Sequence, residues 1–125
     1  MPRIGIDDPQ GVKAGPYSHA VRSGDLVYLS GQAGVDPQTG KIVEGGIARQ
    51  VEQTFANIHS SLQAAGLSFE QVVKVNVYLT DMNHFAVMNE VYARMFTQPY
   101  PARTTVGVAS LPLGALVEIE MIARA

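Results

Sequence analysis

Apolar positions fall into two periods along the chain. Tyr17 to Arg22 and Leu26 to Ser30 carry the short apolar runs of strands, joined by the hairpin-type turn Ser23-Gly24-Asp25. Asp36-Pro37-Gln38-Thr39-Gly40 is a second turn, with Pro and Gly in favoured places. From there the period changes. Ile47, Val51, Phe55, Ile58, Leu62 and Ala65 recur at steps of three and four, which predicts one face of a helix over residues 47–65, with Gly66 as its stop. Ser68 and Gln71 have the spacing of a capping box for a short helical turn. Val73 to Leu79 alternates again and is β-branched, a strand with one apolar face. Asp81 caps a second predicted helix, Met82 to about Thr97, whose apolar face holds Phe85, Met88, Val91, Tyr92, Met95 and Phe96. Pro99 and Pro101 exclude helix beyond it. Arg103 to Ala109 and Leu116 to Ala123 are the last two strands, connected through Leu111-Pro112-Leu113-Gly114.

The order is β-β-α-β-α-β-β, an α+β domain of one mixed sheet and two helices spanning residues 1–125. Two helices cover one face of such a sheet. Leu26-Val27-Tyr28-Leu29 and Leu116-Val117 are nevertheless apolar on both faces, and a strand of that kind needs cover on both. With no third helix available, the second face is expected to pack against other copies of the chain.

Composition narrows the function classes. Of 125 residues, 46% are hydrophobic and 16% charged, as in a folded globular protein. The net charge of −2 and the lack of any Lys/Arg run argue against nucleic acid as a partner. The chain has no cysteine, so neither a thiol nucleophile nor a cysteine metal site exists. The N-terminus does not read as a signal peptide and no apolar run is long enough to span a bilayer, so a cytoplasmic location without membrane association is expected.

Glu118 and Glu120 lie two apart on the last strand and share a face, among Leu116, Val117, Ile119, Met121 and Ile122. A carboxylate in apolar company needs a partner or a task, and desolvation raises its pKa toward the range useful for acid–base chemistry. Arg103 follows Tyr100-Pro101-Ala102 and opens an apolar strand, where its guanidinium is placed to grip a carboxylate with two prongs. That carboxylate is either a substrate's or Glu118 itself. Ser30-Gly31 ends the second strand, and a glycine there permits close approach of a ligand to the backbone. Gly15-Pro16-Tyr17-Ser18 sets an aromatic hydroxyl after a turn. His19, His59 and His84 have no metal-ligand spacing and are read as structural or surface residues. No dinucleotide fingerprint and no Gly-x-Ser-x-Gly elbow occurs.

Gly15-Pro16-Tyr17-Ser18, Leu29-Ser30-Gly31-Gln32, Asp36-Pro37 with Thr39-Gly40, Tyr100-Pro101-Ala102-Arg103 and Val117-Glu118-Ile119-Glu120 come in the order found in the YjgF/RidA family. The resemblance runs from about Lys13 to Ala123. It implies a chorismate-mutase-like protomer, three of which close into a trimer around a barrel of strands with pockets between subunits. It also implies an enzyme that hydrolyses 2-imino acids, such as 2-iminobutanoate and 2-iminopropanoate with its 2-aminoacrylate tautomer, to 2-oxoacids and ammonia, without metal or organic cofactor. On that resemblance Arg103 binds the substrate carboxylate and Glu118 positions water and moves protons. Tyr17, Ser30, Gly31 and Asn89 are then pocket residues. Thr105 stands where many members have cysteine, so its backbone N–H remains available to a substrate oxygen but thiol chemistry does not. A 2-oxoacid-binding regulatory trimer and an endoribonuclease or translation inhibitor are the rival readings.

Overall fold

The computed structural model describes residues 2–125. Six strands form one sheet: β1 (Ile4–Ile6), β2 (Ala20–Ser23), β3 (Leu26–Ala33), β4 (Val72–Leu79), β5 (Ala102–Gly107) and β6 (Val117–Arg124). Their order across the sheet is β1-β2-β3-β6-β4-β5. Only β4 and β5 pair in parallel; every other pair is antiparallel. Two α-helices, α1 (Ile47–Ala64) and α2 (Phe85–Ala93), lie on one face. Because β3 and β4 both run antiparallel to β6, α1 is a crossover between parallel strands with β6 inserted between them.

The predicted periodicity of α1 is the observed one. Val51, Phe55, Ile58 and Leu62 are fully buried against the sheet, each side chain contributing about 1.5–3 kcal/mol. Phe55 is the hub of an aromatic cluster, edge-on to Phe69, Tyr92 and Phe96 at 5.7, 5.7 and 5.8 Å between centroids. From the sheet, Val75, Val77 and Leu79 of β4 and Val117, Ile119 and Met121 of β6 complete the core. The capping box at Ser68 and Gln71 forms, and it opens a single helical turn.

Four expectations are corrected. A short strand, β1, precedes the first predicted one, and three residues are too few to show a period. Tyr17 to His19 do not join β2: the His19 carbonyl still accepts from the Ser30 amide at 2.9 Å, but the His19 amide donates to Asp7 Oδ1 at 3.3 Å, and the Asp8 amide donates to His19 Nδ1 at 2.8 Å. β3 continues past Ser30 to Ala33 through a bulge between Leu29 and Gln32. The second helix begins as a 3-10 turn over Met82–His84, with Asp81 accepting from the Asn83 amide, and it ends at Ala93 rather than near Thr97. Arg94 and Met95 then donate to Val91 and Tyr92, three residues back, and this tightening swings Phe96 into the aromatic cluster.

The face turned away from the helices is mixed rather than uniformly apolar. Tyr28 and Val106 are 45% and 41% exposed on it. Between them stand half-buried Lys74, Asn76 and Tyr78 of β4 and Glu118, Glu120 and Ile122 of β6.

Candidate active site

Register decides where the two principal side chains point. Arg103 on β5 pairs with Val75 on β4, which pairs with Met121 on β6. Val75 and Met121 are buried in the core, so Arg103 lies on the helix-covered face at the sheet's edge. Glu118 pairs with Tyr78 and Ala33 and lies on the opposite face. Among the described residues Arg103 makes no ion pair, so the alternative in which Glu118 is its partner within one chain is not realised.

Aromatic rings hold Arg103 instead. Its Cζ sits 4.7 Å from the Tyr92 ring centroid and 5.7 Å from that of Phe85, both on α2. A guanidinium stacked on a ring face keeps its in-plane N–H groups free, which is the edge a carboxylate binds. Asn89 follows Phe85 by one helical turn, and Thr105 follows Arg103 by two residues on the same face. Asn89 Oδ1, Thr105 Oγ1 and the Tyr92 hydroxyl are all buried without a hydrogen-bond partner. Buried polar atoms are nearly always satisfied, so three orphans beside an uncommitted arginine are suited to a polar ligand. Burial pushes the Tyr92 hydroxyl pKa up, with Arg103 partly offsetting it.

Glu118 belongs to a second constellation. It lines a cavity of about 610 Å³ together with Tyr17, Gly31, Gln32 and Leu113. Gly31 sits in the β3 bulge, where a Cβ would come within 2.5 Å of Glu118 Oε2. Only glycine leaves the carboxylate its place. Burial pushes the Glu118 pKa above its ordinary value, and the negative charge of Glu120 adds to it. The Tyr17 hydroxyl accepts from the Ala14 amide at 3.3 Å and keeps its own proton to give. Ser30 is committed elsewhere, donating to the Ser18 carbonyl at 2.6 Å, and it does not line the cavity.

The site residues read from the sequence therefore divide in two. Arg103, Asn89 and Thr105 gather at the β5–α2 edge, while Glu118, Gly31 and Tyr17 gather at the open face. In the sequence Phe85 and Tyr92 are core apolar positions, and no signal separates an aromatic that packs a core from one that also carries a guanidinium. His19 is buried and its ring is spent on the Asp8 amide and the Val12 carbonyl, while His59 stacks on Phe69. No group of three or more His, Cys, Asp or Glu that could hold a metal stands among the described residues. No helix of the described residues is long and apolar enough to cross a membrane.

Comparison with known proteins adds to this geometry. A family model described as Endoribonuclease L-PSP matches residues 9–125. A RutC family protein of Pyrococcus horikoshii is 51% identical over 109 residues, covering 87% of this chain and 86% of the relative. A protein of Bos taurus named 2-iminobutanoate/2-iminopropanoate deaminase is 48% identical over 109 residues, covering 87% of this chain and 80% of its own. Among solved structures, E. coli TdcF with bound serine superposes with a TM-score of 0.91 at 39% identity, covering 98% of both chains.

Proposed function

The chain belongs to the YjgF/RidA family, and on that premise we propose that it hydrolyses reactive 2-imino acids and their enamine tautomers to 2-oxoacids and ammonia. The observation that carries this reading is the state of Arg103: stacked on Tyr92 and Phe85, unpaired among the described residues, with its donors free for a substrate carboxylate. The serine bound to E. coli TdcF is a small amino acid with such a carboxylate.

Imine hydrolysis needs water added to the C=N carbon and a proton delivered to the departing nitrogen. On the protonated imine, Glu118 as a carboxylate takes a proton from water as the C–O bond forms and the C=N π pair passes to nitrogen. As the acid it gives that proton to the nitrogen, and it then takes the carbinolamine hydroxyl proton as the C=O bond forms, the C–N bond breaks and ammonia leaves. Its raised pKa suits both halves. Arg103 fixes the carboxylate and so aims the carbon. Asn89 and Thr105 bind beside it, and Tyr17 and Gly31 line the approach to Glu118. Ser30 contributes by fastening the β3 bulge to Ser18.

Because Arg103 and Glu118 lie on opposite faces of one sheet, the complete site in this reading is made by two copies. One supplies Arg103 from its edge, the next supplies Glu118 from its open face, and a closed homotrimer repeats the arrangement. The location expected for such an enzyme is the cytoplasm.

The description of the matched family model favours a second reading, RNA cleavage. The net charge of −2 weakens it. Both are tested together by generating 2-iminobutanoate in situ with a threonine dehydratase and following 2-oxobutanoate, with RNA cleavage assayed in parallel. The deaminase reading expects acceleration by wild type and its loss in Arg103→Ala and Glu118→Gln. Unaccelerated hydrolysis alongside Glu118-dependent RNA cleavage supports the second reading instead.

A further inference from the structure

Glu120 follows Glu118 by two residues on β6 and faces the same way. Tyr78 on β4 is the register partner of Glu118, yet its hydroxyl donates to Glu120 Oε1. Asn76, the register partner of Glu120, donates to the same oxygen at 3.3 Å. Two donors from β4 thus converge on one Glu120 oxygen and hold the side chain in place. The hydrogen bond to Glu120, with burial adding, pushes the Tyr78 hydroxyl up to about 12, so the phenol keeps its proton at working pH and remains a donor. Glu120 does not line the Glu118 cavity, and any influence it has on the chemistry passes through Glu118.

Other charged groups on this face are engaged elsewhere. Lys74 of β4 donates to Thr104 at 2.8 Å, and Arg124 of β6 pairs with Asp25 at 2.9 Å. On β3 the titratable group of this face is Tyr28; the β5 positions, Ala102, Thr104 and Val106, have none. From the N-terminal segment Asp8 and Tyr17 line the same cavity as Glu118. Asp8 Oδ1 accepts from the Gln10 amide at 2.9 Å. Glu120 is therefore the fixed charge beside Glu118 on its own strand.

We propose that Glu120, anchored by Tyr78 and Asn76, is a positioning residue whose negative charge governs how readily Glu118 takes up and releases its proton. This rests on the reading of Glu118 as the group that moves protons. A negative neighbour makes a carboxylate a stronger base toward water. The anchoring keeps that neighbour at a constant distance, so the effect does not fluctuate with side-chain rotamers.

The test is a carboxyl-carbon NMR titration of Glu118 in protein labelled at glutamate, its resonance identified by its absence in Glu118→Gln. It is paired with the pH dependence of kcat/KM on 2-iminobutanoate. In Glu120→Gln the Glu118 midpoint is expected to move to lower pH, and the acidic limb of the rate profile to move with it. Tyr78→Phe, which keeps the charge, shifts both less. An unmoved midpoint in Glu120→Gln overturns the proposal, whereas a midpoint that moves while the limb stays upholds the action of Glu120 on Glu118 and overturns the reading of Glu118 as the group that moves protons. If wild type accelerates no imine hydrolysis the deaminase reading fails, and the NMR titration still decides whether Glu120 acts on Glu118. Circular dichroism checks folding, and Glu120→Thr, a strand-compatible replacement, serves if the amide variant does not fold.

Discussion

Arg103 and Glu118 stand on opposite faces of the same sheet, one read through Val75 and Met121 to the core, the other through Tyr78 to the open face. Neither side chain reaches across the intervening layer of backbone. A reaction that needs both must bring Arg103 of one copy to Glu118 of another. Subunit assembly is thus a requirement of the proposed chemistry, separate from any gain in stability.

Mixing inactive variants tests this directly. Arg103→Ala and Glu118→Gln are each expected to lose imine hydrolysis. In a closed trimer every mixed ring contains one junction where an intact Arg103 meets an intact Glu118. Random exchange of equal amounts therefore restores about a quarter of wild-type activity. No recovery after exchange, verified by mass spectrometry of the mixed species, would place the site within one chain.

The aromatic cradle of Arg103 should appear in binding more than in turnover. Phe85 is 37% exposed, so Phe85→Ala removes one ring from the guanidinium with little loss of core. An exposed cation–π contact contributes about 0.5–1 kcal/mol, and KM is expected to rise roughly 2- to 5-fold with kcat nearly unchanged. Steady-state kinetics of the variant beside wild type decide it; an equal fall in kcat would mean that Phe85 serves the transition state.

Much of this was legible beforehand. The strand around Val75 and the helix through Phe55 carry periods that packing then enforces, the strands around Tyr28 and Ile119 are legible as apolar runs, and both helices fall where their apolar faces require. The end of α2 was not legible, because Met95 and Phe96 continue a helical pattern while their backbone has already tightened toward the aromatic cluster. Residue types identified Arg103 and Glu118 as chemically unusual, but which face each occupies depends on the register of β5 and β6 against β4, a pairing between segments far apart in the chain. The cradle of Tyr92 and Phe85, the donors on Glu120 and the bulge that puts Gly31 against Glu118 are all consequences of that register.

Gly31 gives a steric prediction. A methyl group there would meet Glu118 Oε2 at 2.5 Å, and the carboxylate must swing away to admit it. Misplacing a catalytic group by about 1 Å can cost roughly 100-fold in rate. Gly31→Ala is therefore expected to lower kcat by that order while thermal denaturation stays near wild type, since what must yield is the far end of a long, half-buried side chain rather than backbone. A variant with normal kcat would show that the carboxylate need not occupy the position seen here.

Glu118 should also be a site where function opposes stability. Burial raises its pKa in the folded state, so between the ordinary carboxyl value and the raised one the folded chain holds more protons than the unfolded chain. Stability then falls as pH rises through that window, and above it the cost of keeping the carboxylate ionised is present in full. Glu118→Gln is free of that cost. Its melting temperature is expected to exceed that of wild type at neutral pH, with the difference fading as pH drops below the ordinary carboxyl range. In the same window wild-type kcat/KM should decline with falling pH, because the base is being protonated. Thermal scans across pH for both proteins check the sign. A glutamine variant that is less stable at neutral pH would mean that Glu118 is held by favourable contacts as an anion, and its assignment as a strained, proton-moving carboxylate would fall.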